Sequence, residues 1–279
     1  MLNKPPSLRY NNIVIPFSLR EAQSRGTFIS GMPRSGKTNL AKIIVNHLLQ
    51  LGFNIRCFDP SQAWLHSSIP YYIRVDDDEG RVQLTDVPLT VSVDYDMSRL
   101  YPIDQAVFTG KMIDYDFDDV SNMTLGTNPT DWIIYVIEEA QLVLPSGSLR
   151  AKYAQSTFRM VSVGRNFNQR YMLITQRPAD VSVKALSRVG QCYIGQHWEE
   201  NDISKLSHLL GMKFKECREL LSSLKLGEFI YFNPYDKICV KIHTPLYINH
   251  RKPKLYYHIP PVIKEENWLD KITKRIRGY

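Results

Sequence analysis

One octapeptide constrains this chain more than any other feature: Gly31-Met-Pro-Arg-Ser-Gly36-Lys37-Thr38. It has the pattern G-x-x-x-x-G-K-T, between a short apolar strand predicted over residues 27–30 and a helical apolar pattern over residues 38–51. Glycine at both ends lets backbone N–H groups wrap phosphate oxygens, and the N-terminus of the helix adds positive potential. The segment therefore predicts a phosphate-binding loop. A chance match in a Gly/Ser-rich turn is the alternative, and the flanking strand and helix weigh against it.

Two side chains at the end of this loop carry most of its chemistry. Lys37 can reach the β- and γ-phosphates of a nucleoside triphosphate, and the hydroxyl of Thr38 can coordinate Mg²⁺. ATP and Mg²⁺ are thus the expected substrate and cofactor. The residues expected to bind the nucleotide are Gly31, Met32, Pro33, Arg34, Ser35, Gly36, Lys37, Thr38 and Asn39.

The order of elements around the loop predicts an α/β fold. A second strand is predicted over residues 53–58, so the chain runs strand, helix, strand, which implies a mainly parallel sheet flanked by helices. Further apolar strands are predicted over residues 132–137 and 171–175, and a helix over residues 148–163.

The distribution of charge divides the chain of 279 residues into parts. We expect an N-terminal arm over residues 1–25, a core domain over residues 26–250 and a basic tail over residues 251–279. Within the core, residues 61–130 form a partly acidic insertion with strand candidates at 71–75 and 89–93 and little helical periodicity. The net charge of +7 favours a polyanionic partner, although an unevenly charged solvated surface explains the charge equally well.

An acidic pair follows the apolar strand predicted over residues 132–137. Glu138 would lie near Mg²⁺, and Glu139 would orient and deprotonate an attacking water. Parallel strands bring their carboxyl ends to the edge that carries the phosphate loop, so both groups would reach the nucleotide. A polar strand-to-helix boundary is the alternative. A second carboxylate beside the metal ligand favours hydrolysis over the transfer reaction of a small-molecule kinase.

A third element is Thr175-Gln176-Arg177-Pro178, at the end of the strand predicted over residues 171–175. If this strand lies between those that carry the phosphate loop and Glu139, the Gln176 amide comes close to the γ-phosphate. Taken by itself, the tetrapeptide fits an ordinary turn equally well.

The ordered blocks GMPRSGKT, IEEAQLVLP, VGRNF, LITQRPADV and LKLGEF resemble the HerA/FtsK superfamily of DNA-pumping ATPases. The resemblance covers roughly residues 25–245 and implies a RecA-like P-loop NTPase core. It also implies that Lys37, Glu139 and Gln176 are catalytic, that Thr38 and Glu138 face the metal, and that Arg165 enters the ATP site of a neighbouring subunit. A surface arginine is the alternative for Arg165.

The chain departs from the family in three respects. Glu138 stands where Asp is commoner, Gln141 stands where HerA proteins often have His, and only about thirty residues precede the phosphate loop. An N-terminal β-barrel and a membrane anchor are therefore not expected. The plan is similar to viral genome-packaging ATPases of this superfamily, or to small plasmid-borne motors. Arg25 is a further candidate, as an arginine acting within the same subunit.

The leading hypothesis is an ATP-hydrolysing ring, most simply a hexamer, that translocates or packages double-stranded DNA without sequence specificity. Arg150 and Lys152 are candidates to face the DNA, and an exposed helix face explains them equally well. A capsid or portal protein, a nuclease or a secretion channel is a further expected partner. Alternatives are a coupling ATPase of a conjugation or secretion system and a regulatory or assembly NTPase that moves no polymer. No secretory signal or membrane span is recognisable, so the expected location is the cytoplasm.

Overall fold

A single large sheet organises the chain, seen here in a computed structural model that describes residues 6–75, 87–121, 126, 128–147, 154–249 and 255–256. The strands are Ser7–Tyr10 (β1), Ile13–Pro16 (β2), Thr27–Ser30 (β3), Asn54–Asp59 (β4), Tyr71–Arg74 (β5), Val93–Asp96 (β6), Ile133–Ile137 (β7), Gln169–Thr175 (β8), Gln191–Ile194 (β9), Glu228–Asn233 (β10), Ile238–His243 (β11) and Leu255–Tyr256 (β12). The helices are Leu19–Ser24 (α1), Lys37–Gln50 (α2), Pro102–Ser121 (α3), Gln155–Val163 (α4), Val183–Leu186 (α5), Glu200–Leu210 (α6) and Phe214–Ser222 (α7).

Ten of the strands form the main sheet, in the order β11-β10-β9-β3-β8-β7-β4-β6-β5-β12. In this spatial order, every pair of neighbouring strands between β9 and β12 is parallel. At the other end of the sheet, β10 is antiparallel to both β9 and β11. The mainly parallel sheet predicted from the sequence is therefore confirmed. β8 lies between β3 and β7, so the carboxyl ends of these three strands lie side by side at one edge of the sheet. This is the strand order on which the predicted position of Gln176 depended.

Alternate residues of the central strands enter two separate apolar clusters, one on each face of the sheet. Ile134 and Val136 of β7 pack with α2 and the N-terminal segment, whereas Tyr135 and Ile137 pack on the face covered by α3, α4, α6 and α7. Both faces are thus covered, which explains why β7 reads as a continuous apolar run.

The N-terminal segment contains more regular structure than the arm expected over residues 1–25 implies. β1 and β2 form an antiparallel hairpin, and α1 follows with Ser18 as its N-cap, whose hydroxyl accepts a hydrogen bond from the Glu21 N–H. Leu8, Ile15 and Phe17 are buried in the same cluster as α2. The segment is therefore packed against the core.

The region between β4 and β7 differs most from expectation. It contains the 20-residue helix α3, where little helical periodicity was expected, and its strands β5 and β6 join the main sheet. The strand predicted over residues 89–93 is wrong: the carbonyls of Val87, Pro88 and Val91 accept hydrogen bonds from the buried guanidinium of Arg56, and the strand begins at Val93.

Several predictions fall outside the described residues. These are Arg150, Lys152, residues 148–153 of the predicted helix, and the basic tail apart from β12. In the part of the chain that is described, no helix combines the length and the apolar character needed to cross a membrane.

Candidate active site

The phosphate loop connects β3 to α2, as the motif predicts. Gly36, the N-cap of α2, has a left-handed backbone with φ +99°, which favours glycine. At Gly31 a β-carbon would collide with the side chain of Ser35. The Ser35 hydroxyl is buried and has no hydrogen-bond partner among the described residues. A loop closed this tightly, with an unsatisfied hydroxyl inside it, fits a phosphate ligand.

Lys37 points back into this loop. Its ammonium donates a hydrogen bond of 2.9 Å to the Met32 carbonyl, and its side chain is largely buried. Burial lowers the pKa of Lys37, and the nearby carboxylates of Glu138 and Glu139 oppose that effect. The ammonium therefore lies where a phosphate oxygen of a bound triphosphate could replace the Met32 carbonyl as the acceptor of its hydrogen bond.

Thr38 and Glu138 meet across the sheet edge. The Thr38 hydroxyl donates to Glu138 Oε1 over 2.9 Å, and the indole N–H of Trp64 donates to the same oxygen over 3.0 Å. Burial raises the pKa of Glu138 to about 7, against the effect of these two hydrogen bonds. A hydroxyl and a carboxylate oxygen are the kind of ligand that Mg²⁺ prefers, so the pair fits the expected metal.

Glu139 is held in an unusual conformation. Its backbone is left-handed, with φ 49°, which is rare for a residue with a side chain and is concentrated at functional sites. Its carboxylate accepts one amide hydrogen bond on each oxygen, from Gln176 Nε2 to Oε1 over 2.6 Å and from Gln141 Nε2 to Oε2 over 2.8 Å. The predicted base and the predicted γ-phosphate sensor are thus in direct contact.

A cavity of about 370 Å³ opens beside these groups. Its lining includes Met32, Glu139, Gln176, His197 and Trp198. Nε2 of the buried His197 lies 3.1 Å from the Ser30 hydroxyl oxygen. Burial lowers the pKa of His197 to about 3, and the positive charges of Lys37 and Arg177 lower it further in the same direction. The imidazole is therefore neutral.

Two predicted residues lie away from this edge. Arg165 is exposed in the 3-10 turn Gly164–Phe167, which precedes β8, and so lies at the opposite edge of the sheet from Gln176. Arg25 precedes β3 at that same opposite edge, where it pairs with Glu21 and stacks 3.6 Å over the Tyr235 ring. Neither guanidinium is brought to the phosphate loop of its own chain.

Asn39, the last residue predicted to bind the nucleotide, has its side chain engaged elsewhere. Its amide nitrogen donates to the Pro245 carbonyl over 2.8 Å, and its amide oxygen accepts from the Tyr247 N–H over 2.7 Å. The side chain of Asn39 therefore fixes the segment after β11 against the start of α2.

Sequence reasoning missed three polar residues of the site. Trp64 follows β4 in a stretch without a recognisable pattern, and His197 follows β9 without a motif. Gln141 was visible only as a departure from the histidine of HerA proteins. A search for donors and acceptors just beyond strand ends would have raised Gln141 and His197 as candidates.

Solved structures with the same fold provide the comparison, because neither the family models nor the curated proteins give a match to this sequence. The genome packaging NTPase B204 from Sulfolobus turreted icosahedral virus 2, in complex with sulfate, is 16% identical with a TM-score of 0.56, over 82% of this chain and 100% of that one. VirB4 of Thermoanaerobacter pseudethanolicus is 12% identical with a TM-score of 0.59, over 84% and 93% of the two chains. The pCW3 conjugation coupling protein TcpA is 17% identical with a TM-score of 0.51, over 84% and 62%.

These similarities concern the fold, since the identities are low. They extend over more than four fifths of this chain. The RecA-like P-loop fold that the resemblance implied is therefore confirmed.

Proposed function

We propose that this chain hydrolyses ATP and works as a ring-forming motor on double-stranded DNA. The observation that carries the proposal is the convergence of Lys37, Thr38, Glu138, Glu139 and Gln176 on one sheet edge beside a cavity of about 370 Å³. The structural neighbour B204 has also been solved in complex with AMPPCP, an ATP analogue.

Each side chain has a defined task in hydrolysis. Lys37 and the loop N–H groups bind the β- and γ-phosphates, and Gln176 donates to a γ-phosphate oxygen. Glu139 orients a water for in-line attack and accepts its proton as the new P–O bond forms and the bond to ADP breaks. Mg²⁺ bound at Thr38 and Glu138 would neutralise charge on the phosphates.

Arg165 completes the site only from a neighbouring copy. The seven residues of β8 separate it from Gln176, a distance of about 20 Å that its own side chain does not span. In a ring, the exposed guanidinium of one subunit would enter the site of the next and neutralise charge on the transferred phosphoryl group. Native mass spectrometry with an ATP analogue should therefore give rings, most simply hexamers, and a strict monomer would contradict this part.

The choice of DNA as the moved polymer rests on the overall positive charge and on the fold. The net charge is +7, and the neighbour B204 is a genome packaging NTPase. A coupling ATPase of a conjugation system is the second candidate, because the coupling protein TcpA has the same fold. For either, lysine and arginine contacts with phosphates would give a grip without sequence specificity that weakens as salt increases.

The decisive experiment measures ATP hydrolysis with and without duplex DNA at two salt concentrations. The Glu139→Gln variant provides the background rate. Stimulation of several-fold that weakens at high salt supports the motor. Hydrolysis indifferent to DNA favours a regulatory NTPase, and no hydrolysis above the variant overturns the enzymatic assignment.

A further inference from the structure

Four hydrogen bonds connect the carboxylate of Glu139 to the backbone at the end of β8. Gln141 Nε2 donates to Glu139 Oε2 over 2.8 Å, and Gln141 Oε1 accepts from the Thr175 hydroxyl over 2.6 Å. The Thr175 oxygen in turn accepts from the Arg177 N–H over 3.0 Å. Gln176 makes the remaining bond, to Glu139 Oε1.

The groups at the two ends of this series of hydrogen bonds, the Glu139 carboxylate and the Arg177 N–H, determine which atom donates at each step. An ionised carboxylate only accepts hydrogen bonds, so Gln141 must turn its NH₂ group toward Glu139 and its oxygen toward Thr175. A backbone N–H only donates, so the hydroxyl proton of Thr175 is directed to Gln141. Because Thr175 is fully buried, water does not replace its hydroxyl in this arrangement.

We propose that Gln141, oriented by the Thr175 hydroxyl, is the positioning residue that holds the carboxylate of Glu139 for catalysis. This rests on the proposed ATPase function and deepens it. Gln176 has two N–H donors, of which one is bonded to Glu139 and the other would serve the γ-phosphate, so its position depends on the nucleotide as well as on Glu139. Gln141 has no proposed contact with the nucleotide. It anchors one carboxylate oxygen, while Gln176 divides its two N–H donors between Glu139 and the nucleotide.

The anchor also connects Glu139 to α6, whose Asp202 lines the same cavity. The buried carboxylate of Asp202, in α6, accepts a hydrogen bond from the Ala179 N–H over 2.9 Å and lies 3.7 Å from the Arg177 guanidinium. The turn at residues 177–180 is thereby held between α6 and Thr175.

The test replaces Thr175 by valine, which keeps the shape and removes the hydroxyl. Losing one buried hydrogen bond of the anchor should lower kcat for ATP by about ten-fold, with KM and nucleotide affinity little changed. Thr175→Ser restores the hydroxyl and should recover most of the lost rate. Thr157→Val is the matched control: the Thr157 hydroxyl is buried in α4 without a hydrogen-bond partner in the described part of the chain, so its loss should leave kcat near the wild-type value.

A double-mutant cycle separates the anchor from a general loss of packing. Gln141→Leu should lower kcat by a similar factor, and the double variant Gln141→Leu with Thr175→Val should be little worse than either single variant. Multiplicative losses, or wild-type kcat in Thr175→Val, would overturn the anchor. Should Thr175→Val not fold, Gln141→Leu alone decides, because unchanged kcat there also overturns it. Absence of hydrolysis in the wild-type protein would instead refute the proposed function.

Discussion

Gln176 Nε2 lies 2.6 Å from Glu139 Oε1, so the residue predicted to sense the γ-phosphate is bonded to the predicted base. The contact follows from strand register: Ile137 of β7 is paired with Leu173 of β8, and the two side chains emerge just beyond that pair. The Gln176 NH₂ group has a second N–H, so it can keep the bond to Glu139 and also donate to a γ-phosphate oxygen. A bound nucleotide and the carboxylate of Glu139 would thus contact the same amide group.

Replacing the base tests its assignment directly. Glu139→Gln keeps the length of the side chain and removes the proton-accepting charge, so ATP should still bind while hydrolysis falls by at least about 100-fold. Binding of a fluorescent ATP analogue and release of phosphate measure the two properties separately. Near-normal turnover would remove Glu139 from this role, and loss of binding would point to damage of the phosphate loop.

Arg165 provides a test of the shared site. Arg165→Ala should still bind ATP in each subunit, while hydrolysis in the assembly falls by about 10³-fold, the effect of removing an arginine that stabilises the transferred phosphoryl group. Arg9→Ala, which removes another exposed arginine, is the control and should retain activity.

Mixed rings make this test specific. In a ring of Arg165→Ala and Glu139→Gln subunits, some interfaces combine an intact Glu139 with an intact Arg165 from the neighbour. Hydrolysis should return in proportion to those interfaces. Mixed rings verified by mass spectrometry that stay inactive would show that Arg165 does not act on a neighbouring site.

The residues at the sheet edge could be predicted from sequence because the rules that place them are local. A glycine-flanked loop between a strand and a helix fixes Lys37 and Thr38, and an apolar strand delivers Glu138 and Glu139 to the edge where parallel strands end. Only the order of the strands was needed to add Gln176. Each of these steps uses neighbouring residues and one general property of parallel sheets.

The region around α3 could not be predicted in the same way. Asp116 interrupts the apolar pattern of α3, yet it is fully buried and pairs with Arg56 of β4 over 3.4 Å and with the Tyr135 hydroxyl over 3.1 Å. Its partners lie 60 and 19 residues away, so nothing near Asp116 marks it as part of a core. Trp64 was missed for the same reason: its role is defined by a contact with Glu138, 74 residues away.

The buried carboxylate of Glu138 predicts a stability that depends on pH. Its pKa is raised from 4.5 to about 7, so the folded nucleotide-free protein binds a proton that the unfolded chain releases between those values. The contribution of Glu138 is therefore present at low pH and is lost as the pH rises through 7. Between pH 5.5 and 8 the wild-type protein should lose about 2 kcal/mol of unfolding free energy relative to Glu138→Gln, which cannot titrate. Urea unfolding of both proteins at each pH measures the difference, and parallel pH profiles would show that Glu138 is ionised in the fold.

His197 predicts the opposite slope. Burial lowers its pKa from 6.5 to about 3. As the pH falls through 6.5, the unfolded chain therefore binds a proton at this imidazole, whereas the folded protein does not. The contribution of the neutral imidazole is present above the unfolded value and is lost as the pH falls. Relative to His197→Asn, the wild-type protein should therefore lose about 2 kcal/mol of unfolding free energy between pH 7.5 and pH 5. This loss and the gain at Glu138 overlap over this range, so each variant is compared with the wild-type pH profile. The two variants should then deviate from it in opposite directions, and deviations of the same sign would contradict one of the two protonation states.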